Sequence, residues 1–398
     1  MNNEIDIAFE LLRIAIMDAD GCSSTQSLSH SATQPLCHSA TQSLSHSATQ
    51  SLSTHEWWRL FRLMQQNHVA AMTADTVAAL DVPREVKIPW LAERDKAERW
   101  HRYQKEVQDE IVGTIQKHGI ETLVLKGTHT AQYYPTPELR EFGDLDLYFY
   151  DKHDEADRIA EKELGVTVSN DAHHHSKYNY RGVTVESHYD FVNTHYPPSN
   201  RHYEQILKEL SHTNSSPKLG EGDRRKAVVE ECVSPFTFHF SLFEVLFLLR
   251  HMACHFAASR ITLRDLVDWT LTCRALQDKV DWVKVNTVVN DFGMEPFVAA
   301  LNTIAEQRLS HSAAQSPSHS VTQPLSHSAT LPLVEKDLLY GSVSDHATDG
   351  LARLGWKMRR WRANAWKRRM VFNDSETALF LASLTSHSMK PASILHKM

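Results

Sequence analysis

"ETLVLKGTHTAQYYPTPELREFGDLDLYFY" (Glu121–Tyr150) decides how the chain is read. "ETLVLKG" is a short apolar run ending in glycine, as a buried strand does. "HTAQYY" opens a helix after it. "FGDLDLYFY" (Phe142–Tyr150) alternates polar and apolar residues with the period of a strand. The strand order places Asp144 and Asp146 on one face, about 7 Å apart along the backbone. Two carboxylates so placed repel one another and favour a shared cation. Oxygen donors with room for substrate phosphates suit Mg2+.

Downstream, "DKHDEADRIAEKELG" has an acidic first turn that complements a helix dipole. "SKYNYRGVTVESHYDFV" then reads as a hairpin turning near Arg181-Gly182. On its second strand Thr184, Glu186, His188 and Asp190 share one face, and Val183 and Val185 take the other. Glu186 therefore meets the aspartate pair if the two strands are neighbours. Upstream, Gly127 and the Thr128 hydroxyl begin a helix whose first N–H groups are free to hold a phosphate.

On both sides of this region the periodicity is helical. Ile5, Phe9, Leu12 and Ile16 recur at helical spacing, as do Trp57, Leu60, Leu63 and Met64 in "HEWWRLFRLMQQNHVAAMTADTVAAL". "AERDKAERWHRYQKEVQDEIVGTIQKHG" (Ala92–Gly119) is a long charged helix ended by glycine. Past Pro235 the chain reads as mostly helical. The expectation is an α+β protein. A mixed-sheet core at 121–215 lies between helical regions at 1–120 and 216–398.

Two segments are set apart from this plan. Ser27–Ser53 and Ser310–Leu331 repeat an octamer close to S-L-S-H-S-A-T-Q, with His30, His38, His46, His311, His319 and His327 at its beat. One Leu and one Ala per unit bury too little apolar area to offset the ordering entropy. Evenly spaced histidines are also a metal-binding composition. The same unit at two remote places fits insertion into a helical framework better. The sequence reading is of two disordered inserts.

Composition narrows the function classes. A formal charge of -7 argues against general nucleic-acid binding. The five cysteines show no C-x-x-C spacing, so neither a disulfide frame nor a thiolate zinc site is expected. Glu4, Asp6 and Glu10 are unlike a secretory signal. "FSLFEVLFLL" (Phe240–Leu249) contains Glu244 and stops at Arg250, about half a membrane span. The chain is expected to be cytoplasmic, without membrane insertion.

In order, the motifs are strand-K-G-T-helix, a G-D-x-D strand and a carboxylate on a later strand. That order resembles the polymerase β-like nucleotidyltransferase superfamily, and within it the bacterial family called NTP_transf_5. The similar stretches are "LVLKGTHTAQYYPTPELREFGDLDLYF" and "VTVESHYDF", flanked by "EWWRLFRLMQQNHV" and "LFLLRHMACHFAASRITLRDLVDW". The resemblance spans roughly Glu56–Trp282.

It implies transfer of a nucleoside monophosphate from an NTP, most simply ATP, to a hydroxyl acceptor. Asp144, Asp146 and Glu186 would be catalytic and would hold two Mg2+ ions. Lys126, Gly127, Thr128, Arg140 and Gly143 would line the nucleotide. Gly127-Thr128 stands where the superfamily has a glycine-serine pair, and Glu186 replaces its third aspartate. The acceptor is left open among sugar, protein, small molecule and RNA.

Two other readings stay open. One is a catalytically inactive member of the fold that binds a nucleotide or partner. The other is a metal-dependent phosphohydrolase using His251, His255 and Asp265, since the two histidines share a helix face. His173–His175 reads as a surface loop. "RLGWKMRRWRANAWKRRMVF" (Arg353–Phe372) carries eight basic residues and no acid. It reads as a docked helix with a basic outer face, with RNA contact or a membrane surface as alternatives. Convergence of Asp144, Asp146 and Glu186 near basic groups would favour the enzyme reading.

Overall fold

A computed structural model describes residues 2–17, 52–170, 174–213, 241–310, 330–341 and 358–386. The octapeptide segments fall almost wholly outside these residues. Their last residues are framework: Leu52 packs against the core, and Ser53 caps the next helix.

The elements in chain order begin with α1 (Asn2–Met17), α2 (Thr54–Gln66), α3 (Ala74–Ala79) and α4 (Arg84–Gln116). β1 (Leu123–Leu125), α5 (Gly127–Ala131), β2 (Asp144–Tyr148), α6 (His153–Ile159), β3 (His175–Tyr180) and β4 (Val183–His188) form the central region. After them come α7 (Asn200–Thr213), α8 (Ser241–Ala258), α9 (Leu263–Leu276), α10 (Trp282–Asp291) and α11 (Glu295–Leu309). α12 (Leu331–Tyr340), α13 (Ala365–Val371) and α14 (Glu376–Ser386) complete the set. The protein is therefore α+β: a small mixed sheet flanked by helices.

The sheet has the order β1-β2-β4-β3. β1 runs antiparallel to β2, β2 parallel to β4, and β4 antiparallel to β3. α6 and β3 make the crossover between the parallel strands. β3 and β4 are joined by Arg181-Gly182, both at positive φ (51° and 81°). Such two-residue turns match the strand twist. Arg181 is held in that conformation by Glu106 and Glu110 of α4, while Tyr103 donates to its carbonyl at 2.7 Å.

The alternation of β2 and β4 sorts their side chains into two environments. Leu145, Leu147, Val183 and Val185 form a compact core with Val107, Ile111 and Ile115 of α4 and Ala156 and Ile159 of α6. The opposite face carries the carboxylates. A second, larger core joins α1, α2 and α3 to α8, α9 and α11. Helices from the N- and C-terminal regions thus share one core beside the sheet.

Local chemistry divides the helical stretch that follows the first repeat. Ser53 and Glu56 form a capping box that starts α2. Asn67 ends it by turning its buried amide to the carbonyls of Leu63 and Leu339, at 2.9 and 3.2 Å. His68 follows at positive φ.

α8 is the one described helix long and apolar enough to cross a membrane, and most of its surface is buried within the protein. Arg353–Lys357 lie outside the described residues; from residue 358 on the basic stretch is docked, but its charge does not all face outward. Lys367 is fully buried, bonded to Asp337 and the Ser259 carbonyl, and Arg368 is buried over the Trp361 ring. Arg359, Arg362 and Arg369 are exposed.

Candidate active site

Parallel pairing of β2 with β4 sets Asp144 beside Thr184 and Asp146 beside Glu186. Asp146 is buried, whereas Asp144 and Glu186 are half-buried. Burial would push the Asp146 carboxyl up. Lys126, with Nζ 3.2 Å away, and His188, with Nε2 3.1 Å away, override that and hold it well below the usual carboxylate range. Asp144 is raised, first by burial and then by the charge of Asp146. Glu186 accepts from Lys177 at 2.7 Å and lies 3.5 Å from His175. Asp146, Glu186 and His188 each offer a ligand atom to a common point.

The turn between β1 and α5 brings up the first cation. Lys126 and Gly127 both have φ of 48°. A lysine there is strained, by roughly 1–3 kcal/mol on general grounds, and such strain is retained where the surroundings fix it. Its ammonium lies between Asp146 and His251, 3.3 Å from the latter's Nε2.

α4 anchors this turn from behind. Gln108 accepts the Thr128 hydroxyl at 2.7 Å, and Gln104 donates to the Gly143 carbonyl at 3.2 Å. One helix thus fixes the start of α5 and the start of β2. A cavity of 390 Å³ opens beside Gly143, lined by Trp100, His101, Gln104, Phe142 and Arg264 among others.

Arg140 is buried. Its guanidinium grips Asp268 of α9 through two bonds of 2.8 Å and donates to the Gly127 carbonyl at 3.1 Å. Burial opposes the charge, but Asp268 overcomes it and keeps the guanidinium protonated. Tyr134 donates to the same carboxylate at 2.6 Å. In this arrangement Arg140 holds the backbone of the Gly127 turn in place.

The histidines depart most from expectation. His173 lies outside the described residues. His174 is half-buried and His175 buried, so neither stands on an exposed loop. Their rings pack 4.5 Å apart, and both approach His188, at 5.4 and 5.0 Å between centroids. Adjacent residues meet at one place because His174 precedes β3, outside its strict alternation. Burial, with His188 beside them, pushes His174 down to about 2 and His175 down to about 4.

His251, His255 and Asp265 do not assemble as a metal-binding trio among the described residues. The two rings pack 4.3 Å apart. Asp265 instead caps α9, accepting from the Thr262 amide and hydroxyl at 2.7 and 2.9 Å. Burial, then Lys126, drives His251 well below its ordinary range.

The alternation places His188 with Glu186 on one face without giving it a role, the loop reading of His174 and His175 does not hold, and Lys177 is not among the residues expected there. The hairpin register held that signal. A two-residue turn that pairs Tyr180 with Val183 also pairs Lys177 with Glu186 and His175 with His188. Asp268 as the partner of Arg140 had no local signal.

A strand-turn-helix, an aspartate pair and a third carboxylate on the neighbouring strand thus stand together, faced by Lys126 and Lys177. The profile of NTP_transf_5, described as an uncharacterised nucleotidyltransferase, matches residues 53–310. The chain belongs to that family. No curated protein and no solved structure matches it.

Proposed function

We propose that the protein moves a nucleoside monophosphate from an NTP, ATP in the first instance, to a hydroxyl acceptor and releases pyrophosphate. The observation that carries this is the pairing of Asp146 with Glu186, with Asp144 on the same strand face and Lys126 against it. The donor set fits Mg2+: carboxylate oxygens on one face, already drawing an ammonium to 3.2 Å. Asp144, Asp146 and Glu186 would hold the two ions. When bound, they neutralise the triphosphate and lower the pKa of the acceptor hydroxyl.

The chain's own groups do the rest. His188 fixes the rotamer of Asp146. Lys126 exchanges its carboxylate for phosphate oxygens as the nucleotide enters, and so carries positive charge to where negative charge builds up. Arg140 holds the Gly127 carbonyl inward, which leaves the other side of the turn for the phosphates. Lys177 restrains Glu186 from the far strand. A cytoplasmic setting supplies both the NTP and Mg2+.

The test is transfer of label from each NTP, with Mg2+, to the protein itself or to a lysate component. Expected is label from one NTP that disappears in Asp144→Asn. Equal labelling by Asp144→Asn, or none from any NTP, would overturn the assignment.

A further inference from the structure

His174, His175 and His188 each place a ring nitrogen within 4.8 Å of the others'. The nitrogens around a zinc ion, about 2.1 Å from it, stand about 3.4 Å apart. Small ring rotations would close that difference. The Nδ1 atoms of both His174 and His175 are buried without a hydrogen-bond partner, and His175 is only 8% exposed. Buried polar atoms are almost always paired, so two orphans in one cluster need a reason.

His188 points the same way. Its Nδ1 lies 3.2 Å from the Asp190 carbonyl and its Nε2 lies 3.1 Å from the Asp146 carboxylate. Both ring nitrogens therefore face oxygen acceptors. An imidazolium donates to both, whereas a ring that donates through Nδ1 alone turns its Nε2 lone pair toward the carboxylate. A metal cation between Nε2 and the carboxylate would take the place of the Nε2 proton. The carbonyl on Nδ1 is the outer partner that metal-bound histidines commonly have.

We propose that His174, His175 and His188, with Asp146 or Glu186 at their edge, form a site for a borderline divalent cation of the zinc or cobalt class. Imidazole nitrogens select such ions over Mg2+, which keeps to oxygen. Three carboxylates (Asp144, Asp146 and Glu186) gather beside these histidines, with the ammonium groups of Lys126 and Lys177 against two of them. The site abuts the carboxylates assigned above to Mg2+, but it does not depend on nucleotidyl transfer.

The test counts metal on the full chain and on His174→Ala/His175→Ala after dialysis against limiting Zn2+ with excess Mg2+. Cobalt replaces zinc in a parallel arm, read by visible absorption. Octapeptide histidines are common to both proteins and cancel in the difference. Expected is one more tightly held ion in the wild type, at least about tenfold weaker in the variant, and a cobalt band only in the wild type. Equal metal content and equal spectra, or displacement of zinc by Mg2+, would overturn the site.

Should the double variant not fold, the single His174→Ala change at a half-buried position gives the same readout. Zinc held without any label transfer would sink only the nucleotidyl reading. Label transfer without histidine-dependent zinc would sink only this one.

Discussion

Asp146 and Glu186 lie side by side in register on the parallel strands β2 and β4, each already held by a different lysine. This pairing makes the two aspartates of β2 unequal. Asp146 is stabilised as an anion by Lys126 and His188, whereas burial and Asp146 itself disfavour the charge on Asp144.

Asp144→Asn and Asp146→Asn should therefore part company. Each should remove the proposed transfer by about a thousandfold or more, since either deletes a proposed metal ligand. Asp144→Asn relieves like-charge repulsion and should melt at or above the wild-type temperature. Asp146→Asn strands Lys126 and His188 and should cost roughly 3 kcal/mol. Thermal melts of the metal-free proteins check this. A lower melting temperature for Asp144→Asn than for Asp146→Asn would refute it.

Arg140 and Asp268 should behave as a framework pair. Arg140→Lys loses the two-bond grip and the bond to Gly127 at once, and should destabilise by about 3–5 kcal/mol. Arg140→Met with Asp268→Leu should recover only part of that. An apolar pair leaves the Tyr134 hydroxyl and the Gly127 carbonyl without partners. Urea melts of Arg140→Met, Asp268→Leu and the double variant give the coupling directly. Arg140→Lys at wild-type stability would show that the clasp contributes nothing.

The fold class and the carboxylates were legible because they rest on local signals. A period of two places Asp144 with Asp146, and Arg181-Gly182 makes the hairpin. What the sequence did not show came from partners far along the chain. Asp268 reaches Arg140 from another helix. His174 joins the cluster because it sits just before β3, where alternation does not apply. Nor does periodicity show that the N- and C-terminal helices share one core, since each stripe specifies a face and not what covers it.

Glu204 should give the protein a measurable pH dependence. It lies on α7, buried, and accepts the amides of Phe191 and Val192 just after β4, both at 3.0 Å. Burial pushes it up to about 7. A raised carboxyl binds its proton more tightly folded than unfolded. Its contribution is therefore full below the unfolded value near 4.5 and is lost as pH rises through 7. The wild type should lose more melting temperature between pH 5 and pH 7.5 than Glu204→Gln does. Parallel curves for the two proteins would rule the assignment out.

The octapeptide segments should be dispensable where a single adjoining residue is not. Ser53 receives the Glu56 amide and its own amide donates to the Glu56 carboxylate, so the box that starts α2 begins beside the repeat. α2 in turn buries Trp57, Leu60 and Met64 in the large core. Ser53→Ala removes half the box and should cost about 1 kcal/mol, as helix caps do. Deleting Ser27–Gln50 together with His311–Ser326 keeps the cap and the start of α12, and touches no residue of the carboxylate face. The shortened chain should match the wild type in melting temperature and in label transfer. It should also keep the histidine-dependent zinc, because His174, His175 and His188 lie outside both deletions. Loss of that one tightly held ion on deletion would move the metal site to the repeats and leave the two orphaned nitrogens of His174 and His175 without an explanation.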